Sequence, residues 1–75
     1  MTDDPHDRLR ALEKLGEQYY DAMYDSRSAA GDYANAKDAF RDAIVLAREL
    51  GETEIEKRLE ARLMHVKAVF RSQFT

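Results

Sequence analysis

The residues best placed to do chemistry are charged. Glu13, Glu17, Asp21 and Asp25 recur at four-residue steps, so on a helix they form one acidic ridge. Like charges at that spacing cost roughly 0.2–0.5 kcal/mol per step, partly screened by salt. Asp21 and Asp25 also lie towards the negative end of such a helix. A basic element nearby would offset both effects. The ridge can serve three ends. It can be a solvated face with Arg10 and Lys14 as local partners, or a bridge to a neighbouring helix. It can be a strip that receives a basic partner segment. It can hold a divalent cation, although a single straight helix rarely surrounds an ion with enough oxygens.

The opposite charge lies at the other end of the chain. From Lys57 onward, Lys57, Arg58, Arg62, Lys67 and Arg71 stand against the single acid Glu60. Glu54 and Glu56 come just before them, so acids open this segment and bases close it, which complements a helix dipole. Arg58, Arg62 and His65 fall on one side of a helix. They could contact phosphates or an acidic partner, or meet the acidic ridge, within one chain or across a dimer. There is no helix-turn-helix signature and no glycine-rich phosphate loop. A formal net charge of −3 disfavours generic nucleic-acid binding, because the phosphate backbone rewards positive faces.

Catalysis is not expected, and neither is a cofactor or a metal. The chain has no cysteine, so disulfides and thiolate metal sites are excluded. His6 and His65 are isolated, with His6 close to a mobile terminus. No Glu-x-x-His pair and no HExxH motif is present. Ser26, Ser28 and Ser72 fall near helix ends, where serine commonly belongs. Tyr19, Tyr20, Tyr24 and Tyr33 cluster around the first interhelical turn, an ordinary place for a ring with a wet hydroxyl.

The elements that must position these groups are helices. Seventy-five residues rich in charge, Ala and Leu, with one Pro and three Gly, form a single all-α domain over residues 1–75. Asp4 can cap a first helix, Pro5 suits its first position and Asp7 favours its positive end. Helix 1 is expected from about residue 5 to about 29, with Leu9, Leu12, Leu15, Tyr19 and Met23 as its apolar face and Tyr20 on the flank. Gly16 inside it costs roughly 1 kcal/mol against Ala, which close approach of another helix would offset. Ser26 and Ser28 weaken its end and Gly31 closes it. Helix 2 is expected over about 32–50, with Asp32 at its start and Gly51 as its stop. Its face is Tyr33, Ala36, Phe40, Ala43 and Ala47, widened by Ile44, Leu46 and Leu50. Helix 3 is expected over about 53–72. Thr53 and Glu56 make a capping box, and Ile55, Leu59, Leu63, Val66 and Phe70 make the apolar face. Short turns give an up-down-up arrangement.

The stretch Gly31, Tyr33, Ala36, Phe40 and Ala43 resembles the second half of a tetratricopeptide (TPR) repeat, which has these residue types at this spacing. Leu15, Gly16 and Tyr19 reproduce the family's Leu-Gly-Tyr spacing, about two turns too early, and Arg48 stands where the family has Pro. The resemblance implies a helical hairpin whose groove is lined by helix 1 around Gln18, Asp21 and Asp25. Family members that grip a terminal carboxylate use basic and amide side chains there. This chain has acids instead, so its groove should prefer basic or neutral peptides.

The expected function is a non-catalytic protein–protein interaction or self-assembly module. Gln18, Tyr20, Asp21, Tyr24 and Asp25 are the candidate partner-binding residues, for a basic or neutral segment with apolar content. The rival is a small nucleic-acid-associated regulator using Arg58, Arg62 and His65. A chain this short is marginal for burying a core. Tyr20, Tyr24, Leu46, Met64, Val69 and Phe74 lie outside the narrowest apolar face, so a homodimer is expected. The acidic start is unlike a signal peptide, and no apolar run approaches the ~20 residues of a membrane span. Both point to the cytoplasm.

Overall fold

The computed structural model describes residues 4–25 and 29–73. They form three α-helices and, among the described residues, no strand: α1 (Pro5–Asp25), α2 (Ala29–Glu49) and α3 (Thr53–Gln73). The all-α, three-helix expectation therefore holds. Helix α2 packs against both α1 and α3. The molecule measures 37 × 26 × 12 Å. Helices pack with axes ~8–10 Å apart, so a width twice the depth fits three helices laid side by side as a shallow layer.

Each helix starts and stops for local reasons. The Asp4 carbonyl accepts from the N–H groups of Asp7 and Arg8, and its carboxylate accepts from the His6 N–H at 3.0 Å. Asp4 is thus the cap and Pro5 the first helical residue, as expected. At the end of α2 the Glu52 N–H donates to the Ala47 carbonyl at 2.9 Å and the Gly51 N–H to Arg48 at 3.1 Å. That bond pair is a Schellman motif, and it needs a left-handed residue, supplied by Gly51 at φ 73°.

Two local expectations are corrected. Helix α1 ends at Asp25 and α2 begins at Ala29, so Gly31 lies in the first turn of α2 and does not close α1. Ala29 and Ala30 are strong helix formers, and they extend α2 backwards at the expense of the glycine stop. Ser26 and Ser28 lie outside the described residues, as does Phe74. At the start of α3 the Glu52 carbonyl accepts the Glu56 N–H, which makes Thr53 the first helical residue instead of the cap. The Glu56 carboxylate turns to α2, where Arg48 Nε donates to it at 3.0 Å.

The core runs along α2. Ala36, Phe40, Ala43 and Ala47 are wholly buried, and Ala39, Ile44 and Leu46 nearly so. From α3 come Leu59, Leu63 and Val66, and from α1 Leu9, Tyr20 and Met23. Tyr33 and Phe70 stack face to face with ring centroids 3.9 Å apart, tying the start of α2 to the end of α3. Gly16 is buried, and a β-carbon placed on it would come within 2.9 Å of the Phe40 ring. The expected close approach of two helices therefore occurs at Gly16. It also corrects the apolar face assigned to α1. Pointing Gly16 at Phe40 turns Leu15 outward, leaving it 40% exposed, with Leu12 and Tyr19 only partly covered.

Candidate functional site

The acidic ridge of α1 and the basic face of α3 meet inside one chain. The Arg62 Nε and one terminal nitrogen donate to the two oxygens of Glu17, both at 2.7 Å. One turn earlier, the Arg58 fork binds both oxygens of Glu13, one bond measuring 2.9 Å. One turn later, the Tyr20 hydroxyl meets His65 Nε2 at 3.4 Å. All three rungs join residues 45 apart in sequence. A constant separation means that α1 and α3 run parallel and in register, with α2 antiparallel between them. Near the base of the ladder, His6 Nε2 lies 3.4 Å from the Glu52 carboxylate. His6 is thus built into the first turn of α1, not into a mobile terminus.

Bidentate guanidinium–carboxylate pairs are the strong form of the ion pair. The hydrogen bonds from Arg58 hold the Glu13 carboxyl below its ordinary 4.5. Hydrogen bonding to Glu13 and to Glu17 raises the pKa of Arg58 and of Arg62 in turn. Arg62 also lies over the Tyr20 ring, its guanidinium carbon 4.8 Å from the centroid. Tyr20 is 8% exposed, and its hydroxyl bonds that of Tyr24 at 3.0 Å. That bond, then burial, pushes the Tyr20 phenol up to about 12.

The sequence-predicted residues therefore divide. Arg58, Arg62 and His65 face α1 in the ladder. Tyr20 is a core and ladder residue. Tyr24 remains 49% exposed, its hydroxyl on Tyr20. Gln18, Asp21 and Asp25 are exposed. Asp21 and Asp25 continue the ridge past the last guanidinium rung, and Asp21 adds to the field that keeps Arg62 charged. Among the described residues no group of three His, Cys, Asp or Glu side chains could hold a metal ion, and no helix is long and apolar enough to cross a membrane.

The site that sequence reasoning missed lies on the side of α1 opposite the ladder. There α1 and α2 leave an open groove of about 460 Å³, with a floor of Ala11, Leu12, Leu15, Val45 and Leu46. Arg8 rims it on α1, and Asp42 and Glu49 rim it on α2. Leu15 and Val45 are 40% and 49% exposed, which makes them two of the large apolar side chains left open to water, along with Tyr24 and Met64. The available signal was width. Leu12 and Leu15 on α1, and Val45 and Leu46 on α2, broaden each apolar stripe beyond what one neighbouring helix can cover.

Comparison with protein-family models, curated proteins and solved structures finds no match in any of the three.

Proposed function

We propose that this chain is a non-catalytic interaction module that docks an apolar helical segment in the α1–α2 groove. One observation carries the reading. The ladder satisfies the strongest charged groups internally, while leucine and valine are left lining an open groove with charged rims. A helix laid in a groove, with its apolar face down and its charges at the rim, is a common mode of recognition. The rim carries a base on α1 and two acids on α2, which favours an occupant that lays bases over α2. The hairpin itself, closed through Gly16, Ala36, Phe40 and Ala43, is in keeping with the TPR resemblance of α2.

The rival nucleic-acid reading loses support because its guanidinium groups are already engaged by carboxylates. The test is fluorescence anisotropy with a labelled amphipathic helical peptide of leucine, alanine and lysine. Saturable binding that Val45→Glu weakens at least tenfold, with helicity unchanged by circular dichroism, is the expected result. Binding that is absent, or indifferent to Val45, would remove the reading.

A further inference from the structure

We propose that the occupant of the groove is the same groove of a second copy, giving a two-fold symmetric dimer with an antiparallel four-helix interface. The inference rests on the reading of the groove as a docking site and adds the identity of the partner.

The argument starts from register. Gly16 faces Phe40, and in an antiparallel pair each step up α1 matches a step down α2. That places Arg8 level with Glu49, and Leu12 level with Val45, on opposite sides of the groove. A two-fold axis lying along the groove stacks α1 of one copy on α2 of the other without changing height. Arg8 then meets Glu49 of the second copy, and the reverse contact follows by symmetry. Leu12 comes down on Val45 and Ala11 on Leu46, while Leu15, level with Asp42, reaches towards Val45 from one turn away. The rim charges are segregated as this packing needs at Arg8 on α1 and Glu49 on α2; Asp42, level with Leu15, stays at the exposed edge. The alternative axis, across the groove, stacks α1 on α1 and leaves Arg8 far from any of these acids.

Area is the second argument. A helix of this length is ~30 Å long and ~10 Å wide. Two of them offer at most ~600 Å² per copy, or ~1,200 Å² in total. The groove, lined over residues 8–15 and 42–49, takes up less than half of that length, so the interface lies at or below the lower end of specific ones. The dimer should therefore be reversible in the micromolar range, and its two salt bridges should make it weaken as salt rises.

The experiment is sedimentation equilibrium on the full chain, alone and as charge variants. Arg8→Glu sets acid against acid in its own dimer, and Glu49→Arg sets base against base. Each variant alone should raise the dimer dissociation constant at least tenfold. Mixing the two should restore a dimer of near wild-type strength, because the acid introduced on α1 of one chain then meets the base introduced on α2 of the other. Rescue on mixing supports the symmetric dimer. A wild-type chain that stays monomeric at high micromolar concentration overturns it, as does a dimer that neither variant weakens. Assembly broken by Met64→Glu but not by the rim variants would also overturn it, in favour of a contact through α3. If the chain is monomeric yet the leucine–lysine peptide binds in a Val45-dependent way, only the dimer fails. If the peptide does not bind either, the groove reading fails with it.

Discussion

Glu17 and Arg62 stand 45 residues apart in the chain and are joined by two hydrogen bonds of 2.7 Å each. The pair explains why an acidic ridge that should strain an isolated helix is tolerated. Glu13 and Glu17 repel each other along α1, and Arg58 and Arg62 repel each other along α3. Both pairs share a four-residue step, so one parallel register satisfies all four charges. A slip of either helix by one residue would break both rungs. The ladder thus sets how α1 and α3 align, while the apolar core sets how tightly they pack.

A double-mutant cycle on Glu17→Gln and Arg62→Gln should show a favourable coupling of about 0.5–1 kcal/mol, the upper range for partly exposed pairs, because the geometry is bidentate and both side chains are about one-third exposed. The single variants should leave the protein helical. Exchanging the two, as Glu17→Arg with Arg62→Glu, should recover part of the loss. Urea denaturation measures all four corners, and a coupling near zero would mean that the ladder is decoration on an apolar fold.

Gly16→Ala pits two effects against each other. Helix propensity alone predicts a gain of roughly 1 kcal/mol. The added methyl would lie 2.9 Å from a fully buried Phe40 ring, and overpacking of this kind costs roughly 1–3 kcal/mol. The second effect should win, giving a net loss that grows with Gly16→Val. Gly16→Ala in a Phe40→Leu background should cost less, because the smaller side chain leaves room. A simple stabilisation by Gly16→Ala would show that α1 can slide away from α2.

Much of this was legible in the sequence. The Tyr33-Ala36-Phe40-Ala43-Ala47 face, the Leu59-Leu63-Val66 face and the glycine stop at Gly51 follow from periodicity and backbone freedom, and each is where it was expected. The first interhelical turn was not legible. Gly31 competes with Ala29 and Ala30, and summed helix propensity decides against the single breaker. The rotation of α1 was missed for a different reason. Leu9, Leu12, Leu15, Tyr19 and Met23 make the best apolar stripe on their own, but the contact at Gly16 and the rungs at Glu13 and Glu17 turn the helix away from Leu15. Those are pairings between distant segments, which a local pattern does not contain. The groove follows directly from that rotation.

Gly51→Ala should cost about 1–2 kcal/mol. The position holds φ 73° with nothing within 4 Å of an added β-carbon, so the loss comes from left-handed strain alone. Gly51→Asn should lose less than Gly51→Ala, since Asn tolerates that region better. Equal losses for the two would mean that the Schellman geometry opens when the residue is replaced.

Acid should weaken the ladder from one side. Glu13 has its folded pKa below the ordinary 4.5 because Arg58 binds the carboxylate. Its contribution is therefore fully present above that ordinary value and is lost as pH falls through the lower folded value. Stability measured by urea at about pH 6, above that window, and at about pH 4 and pH 3, below the ordinary value, should fall more in the wild type than in Glu13→Gln. Parallel curves for the two proteins would place the acid sensitivity elsewhere.

Alkali should weaken it from the other side, through Tyr20. The phenol is pushed from 10.0 up to about 12 by its bond to Tyr24 and by burial, so the folded state favours the neutral form. A raised pKa of this kind gives stability that is fully present below the unfolded value and lost as pH rises through the folded one. The window is thus from 10 to about 12. Spectroscopic titration of tyrosinate should show one of the four tyrosines ionising late, and Tyr20→Phe should remove that late phase. Tyr24→Phe should shift it to lower pH, because the hydroxyl pair is the largest cause of the shift. Over the same window the wild type should lose more stability to urea than Tyr20→Phe does. If all four tyrosines titrate together near 10 in the folded protein, the hydroxyl pair between Tyr20 and Tyr24 does not hold in solution, and the upper end of the ladder is open.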